Sequence, residues 1–232
     1  MNLQEILSSY DIQINDEQIK KLDEFYDLLI EWNKKMNLTA ITDKDEVIVK
    51  HFADSILGLP YFEGSVCDVG AGAGFPSVPL AIMGVKNIVM ADSLAKRITF
   101  LEEVKRKLNL DVYPLHVRAE DLGKTDKRES FDTVTARAVA NTSTLVEYLL
   151  PLVKVGGKAV LYKSGEIDEE LKESRTAIKT LGGRVRVIQK YEFCSLSRTI
   201  VIIDKVKPTP KNYPRSGNKP KTQPIKAKYK RV

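Results

Sequence analysis

The chain has 232 residues, 43% of them hydrophobic and 29% charged, which suits one ordinary domain with extensions and excludes a wholly disordered polymer. No run approaches the ~18 apolar residues of a membrane span, and the start MNLQEILSSY lacks the basic-then-apolar order of a secretory signal. Two cysteines, Cys67 and Cys194, make neither a disulfide framework nor a zinc site, so a reducing cytoplasm and no metal are expected. The net charge of +6 is unevenly placed. Residues 207–232 hold nine Lys and Arg and no acid, which leaves 28 positive against 31 negative charges, a net of −3, in the first 206 residues.

Residues 1–63 read as a helical segment packed on the core. Asn15 with Gln18 forms a capping box, and Ile19, Leu22, Phe25, Leu29, Trp32 and Met36 recur at three- and four-residue spacing. Trp32 is read as core packing. Thr42 with Asp45 marks a second helix start, followed by Val47, Ile48, Phe52, Ile56 and Leu57 at helical spacing. His51 and Asp54 lie three apart on one face. They read as a satisfied polar pair against the sheet in preference to an RNA contact or a gate of the ligand cleft.

From residue 64 to 206 the period changes. Strands are expected at 65–70, 87–92, 112–117, 131–139 and 158–163, with helices at 76–84, 94–109, 142–154 and 166–181. Such alternation means a parallel sheet covered on both faces. Two more β-rich runs, 184–193 and 198–206, are too close for a parallel crossover, so the last strand should lie antiparallel. A seven-stranded, mostly parallel α/β sheet with one antiparallel strand matches, by analogy, the plan of Rossmann-like methyltransferases.

The first strand ends in Asp68-Val69-Gly70-Ala71-Gly72-Ala73-Gly74-Phe75-Pro76. Alternate glycines let a backbone turn tightly and approach a ligand without Cβ interference. Asp92 closes the second strand, 22 residues after Gly70, where an acid accepts hydrogen bonds from ribose hydroxyls. A dinucleotide loop spaces its glycines GxGxxG. Here the spacing is GxGxG, with an acid two residues earlier, and Asp-x-Gly-x-Gly-x-Gly resembles the loop that holds S-adenosylmethionine (AdoMet). Arg118, Ala119 and Glu120 follow the third strand, where AdoMet enzymes bracket the adenine. The fourth strand ends in Thr135-Ala136-Arg137-Ala138. It has no Asn/Asp-Pro-Pro-aromatic motif of the amino-group methylases. Cys67 follows Val66 and Cys194 follows Phe193, so neither matches the cysteine nucleophile, usually after proline, of the pyrimidine C5 methylases. The acceptor should therefore be an atom already nucleophilic, a ring nitrogen or an oxygen. Arg137 at a strand end reads as a partner for a carboxylate or phosphate.

Residues 207–232 contain five of the ten prolines and little that is apolar, and should not fold alone. A basic, extended arm suits a polyphosphate partner, the alternative being a merely solubilising tail. Tyr213 and Tyr229 suit base stacking, and Arg215, Lys219 and Lys221 suit phosphates. Lys96 and Arg97 open a helix just after Asp92 and read equally as phosphate grips or as a solvated face.

Together these motifs resemble the small-subunit ribosomal RNA methyltransferase G family, also called glucose-inhibited division protein B. The shared residues are Trp32-Asn33, Asn37-Leu38-Thr39, His51 with Asp54-Ser55, Asp68-Val69-Gly70, Gly72-x-Gly74-Phe75-Pro76, Asp92-Ser93-Leu94-x-Lys96-Arg97 with Phe100-Leu101, Arg137-Ala138 and Tyr213-Pro214-Arg215. The resemblance implies AdoMet-dependent methylation of guanine N7 in 16S ribosomal RNA, or in a small-subunit precursor, by direct in-line transfer without a covalent enzyme intermediate. It implies cofactor contacts at Gly70, Phe75, Ala119, Glu120 and Arg137, to which the loop and ribose readings add Gly72 and Asp92. No side chain is expected to act as an indispensable acid or base. The tail departs from the family pattern, Asn218 standing where a glycine is usual; asparagine tolerates the left-handed conformation such a turn needs. A monomer without an obligate protein partner or a membrane is expected. The alternatives are an AdoMet enzyme acting on a small molecule, an RNA-binding protein that has lost catalysis and, more distantly, a nucleotide-dependent dehydrogenase.

Overall fold

The computed structural model describes residues 2–137 and 140–226. The chain divides into two compact units, one of residues up to Val117 with Glu192–Leu196, the other of Arg118–Tyr191 with the residues from Ser197 onward.

The first unit begins with α1 (Leu3–Ser8) and the long α2 (Asp16–Met36). Asn15 caps α2 through the expected reciprocal box with Gln18, and Asn37 ends it in the left-handed conformation, φ 50°. Leu22, Phe25 and Leu29 bury the apolar stripe. The next helix starts one residue later than the Thr42 reading. Asp43 is the cap of α3 (Lys44–Val47), its carboxylate accepting from Glu46 N–H, while the Thr42 carbonyl accepts from the Tyr26 hydroxyl. A π-helical stretch (Ile48–Ala53) leads into α4 (Asp54–Ile56). The wider turn alters the face that simple 3.6-residue spacing assigns to His51.

Then come β1 (Val66–Val69), α5 (Ser77–Ile82), β2 (Ile88–Asp92), α6 (Ala95–Leu108) and β3 (Val112–His116). β1 pairs β2 in parallel from Val66↔Ile88, and β2 pairs β3 in parallel as far as Asp92↔His116. One aromatic cluster joins α2 to the elements around it. Phe25 lies 5.3 Å from Phe75 and 6.5 Å from Phe100, and Trp32 packs on Phe100 at 5.8 Å, as its core reading anticipated.

The second unit contains α7 (Ala119–Leu122), β4 (Phe131–Arg137), α8 (Thr142–Leu149), β5 (Val153–Ser164), α9 (Asp168–Thr180), most of β6 (Gly183–Phe193) and β7 (Leu196–Lys205), and α10 (Lys219–Thr222). α8 stops well short of residue 154, because Pro151 cannot continue a helix. β5 starts earlier than expected. It runs through Gly156-Gly157 with a register shift against β4 between Phe131 and Thr133. β4 and β5 are parallel, and β7 runs antiparallel to β5 from Lys158↔Asp204 to Ser164↔Arg198. The sheet order is β3-β2-β1-β4-β5-β7-β6. This is the Rossmann-like plan expected from the alternation.

The tail is not an independent arm over its described length. Thr209 is buried, and Lys205, its amine fully enclosed, donates to Thr209 Oγ1 at 2.8 Å and pairs with Glu129 at 2.8 Å. Burial lowers the Lys205 pKa against the opposing pull of Glu129. Asn218 has φ −78°, so it does not supply the left-handed turn; Gly217, at φ +61°, does. Tyr229 lies outside the described residues.

Candidate active site

In the first unit the carboxyl end of β1 turns into the glycine loop. Gly70, Gly72 and Gly74 have φ of 76°, 60° and 91°, a backbone that residues with Cβ atoms rarely adopt. The loop is stitched to β2 by Gly70 N–H and Ala71 N–H, both donating to the Ala91 carbonyl at 2.8 and 3.1 Å. Ala71 and the stretch from Ala73 to Leu80 are buried, while Gly70 and Gly72 are half-exposed. The bare glycine backbone is thus the surface the loop offers to a ligand.

Asp92 underlies this arrangement. Its side chain is 2% exposed. Oδ2 accepts from Gly72 N–H at 2.9 Å and from Arg97 Nη1 at 3.1 Å, and Oδ1 accepts from Leu94 N–H at 2.9 Å. The acid therefore holds the loop and the start of α6 in place, and Oδ1, with a single hydrogen bond, is below its acceptor capacity. Asp68, fully buried in β1, accepts from Ser77 Oγ at 2.5 Å and ties the strand to α5. Phe75 is 6% exposed. Its ring lies 4.6 Å from the His51 ring and 6.2 Å from Phe52 and is committed to that packing. His51 Nε2 lies 3.2 Å from Thr39 Oγ1. Both features are invisible to a reading that pairs His51 with Asp54 by spacing alone.

Lys96 and Arg97 both have partners within the unit. Lys96 Nζ donates to the Met36 carbonyl at the end of α2 at 3.0 Å, and Arg97 spans to Asp92. Arg97 belongs to the loop support, and Lys96, still exposed, caps a helix.

In the second unit α7 is a single turn that presents Ala119 and Glu120. Glu120 is 8% exposed, and its ion pair with Arg118 spans 3.9 Å, too long for a hydrogen bond. Its carboxylate retains acceptor capacity, which fits the amino and hydroxyl donors of a nucleoside. Arg137 is the last residue of β4. Tyr213 is half-buried, its carbonyl accepting from Arg128 at 2.7 Å. Arg215 is engaged on Glu147, Nε to Oε1 at 2.8 Å and Nη2 to Oε2 at 2.6 Å, with its own backbone N–H on Oε1 at 2.9 Å. Glu147 is fully buried and its hydrogen bond holds the Arg215 guanidinium above its ordinary pKa. Lys219 and Lys221 are exposed. Arg128 and Glu147 were missed by sequence reasoning. Glu147, a lone carboxylate in the apolar run TSTLVEYLLPL, was the readable sign that a cation must arrive from elsewhere.

The family model described as GidB, rRNA small subunit methyltransferase G, matches residues 18–200. The chain belongs to the rRNA small subunit methyltransferase G family. A family member from Staphylococcus aureus (strain Newman), named ribosomal RNA small subunit methyltransferase G, is 48% identical over 231 residues, 96% of this chain and 97% of that one. Its namesake from Lactobacillus johnsonii is 46% identical over 230 residues, 94% of this chain and 96% of the other. Among solved structures, magnesium protoporphyrin IX methyltransferase from Synechocystis, with bound SAM, aligns with a TM-score of 0.56 at 15% identity, over 82% of this chain and 98% of that one. That likeness is one of fold. The family match spans the glycine loop, Asp92, Ala119, Glu120 and Arg137, and stops short of the tail.

Proposed function

We propose that the chain holds AdoMet through the backbone of Gly70, Gly72 and Phe75 and through Asp92, Ala119, Glu120 and Arg137, and methylates guanine N7 of 16S ribosomal RNA in the cytoplasm. As a member of its family it is a small-subunit ribosomal RNA methyltransferase. The observation that supports the donor reading is Asp92: one buried carboxylate fixes the glycine backbone, and its Oδ1, with a single hydrogen bond, has acceptor capacity left for a ribose hydroxyl.

AdoMet supplies a methyl group made electrophilic by its attachment to a sulfonium. Guanine N7 has a lone pair and no proton, so the chain has no proton to remove from its acceptor. What its residues contribute is placement, and holding two reactants in line is worth roughly 7–11 kcal/mol. Asp92 and Glu120 would orient the nucleoside by accepting its hydrogen bonds, and the glycine backbone would let it approach. RNA binding falls to exposed cations, of which Lys219 and Lys221 stand free of the tail's anchoring contacts. Arg215 and Arg97 instead hold the protein together. The small-molecule alternative leaves those cations without a role.

The test is incubation with labelled AdoMet and small-subunit ribosomal RNA from a strain lacking the modification, followed by mapping of the labelled base. Label at one guanine N7 is the expected result. Label elsewhere, or a steep bell-shaped pH profile abolished by one substitution, overturns the placement mechanism.

A further inference from the structure

We propose that the tail segment 207–222 is a positioning strap for the donor site, in which Pro214 and Arg215 fix the short helix that presents Ala119 and Glu120. The inference rests on the reading that those two residues contact AdoMet.

α7 spans only Ala119–Leu122, and its N-cap Arg118 makes no side-chain capping bond. A single uncapped turn has almost no stability of its own. Its position must be imposed by its neighbours, and the tail supplies them. Gly123, the residue that ends α7, is approached so closely that a Cβ there would lie 3.0 Å from Pro214 Cγ and 3.1 Å from Cδ. The Arg128 guanidinium clasps both sides of this contact. Nη1 donates to the Gly123 carbonyl at 3.1 Å and to the Tyr213 carbonyl at 2.7 Å, while Nη2 donates to the Thr209 carbonyl at 2.7 Å. One residue further on, Lys124 Nζ donates to Ser216 Oγ at 2.7 Å.

Arg215 anchors the strap on the adjoining helix. α7 packs on α8, and α8 carries Glu147. Both carboxylate oxygens of Glu147 are taken by Arg215, in the planar two-point geometry that arginine and carboxylate share. Tyr148, the next residue of α8, has its pKa raised by burial and then by the charges of Glu120 and Glu147 together, which places the anchor and the proposed donor ligand around one side chain. The strap therefore touches the chain where α7 ends, at Gly123 and Lys124, and the adjoining α8 at Glu147. The family residues Tyr213-Pro214-Arg215 are thereby given a role in donor binding, distinct from the RNA contact their charge suggests.

The test uses the full chain, with AdoMet affinity measured by calorimetry, small-subunit RNA affinity by filter binding, and KM and kcat by methyl transfer. Arg215→Ala should weaken AdoMet binding about tenfold and leave RNA affinity within twofold. Arg215→Lys, which keeps one contact to Glu147, should recover much of the loss. Gly123→Ala, at a backbone φ of −66° that alanine accepts, should push chiefly on Pro214, with Pro151 Cβ at 3.4 Å in ordinary contact, and raise the KM for AdoMet about threefold without changing kcat. Should Arg215→Ala fail to fold, Gly123→Ala carries the test. Weakened RNA binding with unchanged AdoMet affinity would make Arg215 a phosphate contact and overturn the strap. If Glu120→Gln loses AdoMet while Arg215→Ala, or Gly123→Ala where the former does not fold, binds it normally, the strap alone fails. If Glu120→Gln binds within twofold of the native chain, the donor-site reading fails and the strap with it.

Discussion

Replacing Asp92 by asparagine separates a support for the loop from a simple sugar ligand. The native carboxylate accepts three hydrogen bonds while 2% exposed: Gly72 N–H and Arg97 on Oδ2, Leu94 N–H on Oδ1. An asparagine has one acceptor oxygen. If it faces Gly72 and Arg97, its NH2 opposes the Leu94 N–H; if flipped, the NH2 opposes the other two donors. At least one backbone N–H loses its acceptor, and the surviving bond is no longer to a charge. Hydrogen bonds to charged groups are worth about 1.5–3 kcal/mol each, so the net loss should be about 2–4 kcal/mol. That loss belongs to the protein before any ligand binds. Urea unfolding without AdoMet should show it, amide hydrogen exchange at Gly72 should quicken, and AdoMet affinity should fall at least tenfold. Arg97→Ala removes only the half-exposed partner and should cost no more than about 1 kcal/mol. An Asp92→Asn chain with native stability and native Gly72 exchange, impaired only in AdoMet binding, would refute the reasoning and leave the carboxylate a sugar ligand alone.

Gly74→Ala should destabilise the chain by about 2–4 kcal/mol, from left-handed backbone strain at φ +91° and a Cβ placed 2.6 Å from Val78 Cγ2 and 3.2 Å from Leu101 Cδ2. A shift in urea midpoint worth less than ~1 kcal/mol would contradict that contact. Below the ordinary carboxylate value of 4.5 the second unit should loosen. Burial pushes Glu129 and Glu170 up, but Lys205 with the Thr209 N–H outweighs it for Glu129, and Lys163 with Thr142 for Glu170, so both lie low when folded. Carboxylates depressed in the folded state stabilise it above their unfolded value and lose that contribution as pH falls through the folded one. Unfolding free energy should therefore hold to about pH 5 and drop below it, and a flat profile to about pH 3.5 would contradict the pairing. Lys219→Ala with Lys221→Ala should lower the slope of log affinity against log salt for RNA by about 1.4, as expected for two single-strand phosphate contacts, and leave AdoMet affinity unchanged.

Most of the fold was open to sequence reasoning because it is set by local chemistry. The Asn15–Gln18 box, the apolar stripe of α2, the strand–helix alternation and the short link before β7 each depend on neighbours a few residues apart. The glycine loop was legible for the same reason, since φ of 60–91° at alternate positions is a demand only glycine meets easily. Local signals failed where a nearby alternative was almost as good. Asp43 outcompeted Thr42 as a cap.

Charge was the least legible quantity. A sequence fixes how many cations the tail has, their spacing and their excess over acids. Whether a given cation faces solvent depends on which carboxylate the folded chain brings to it, and Glu147 lies 68 residues from Arg215, Asp92 five from Arg97. Composition and glycine spacing thus established a basic tail and a tightly turned glycine loop, while only tertiary structure decided that Arg215 and Arg97 serve the protein itself. The reason is that a buried carboxylate must find a partner, and that need outranks an exposed arginine's weaker attraction to solvent or a passing phosphate.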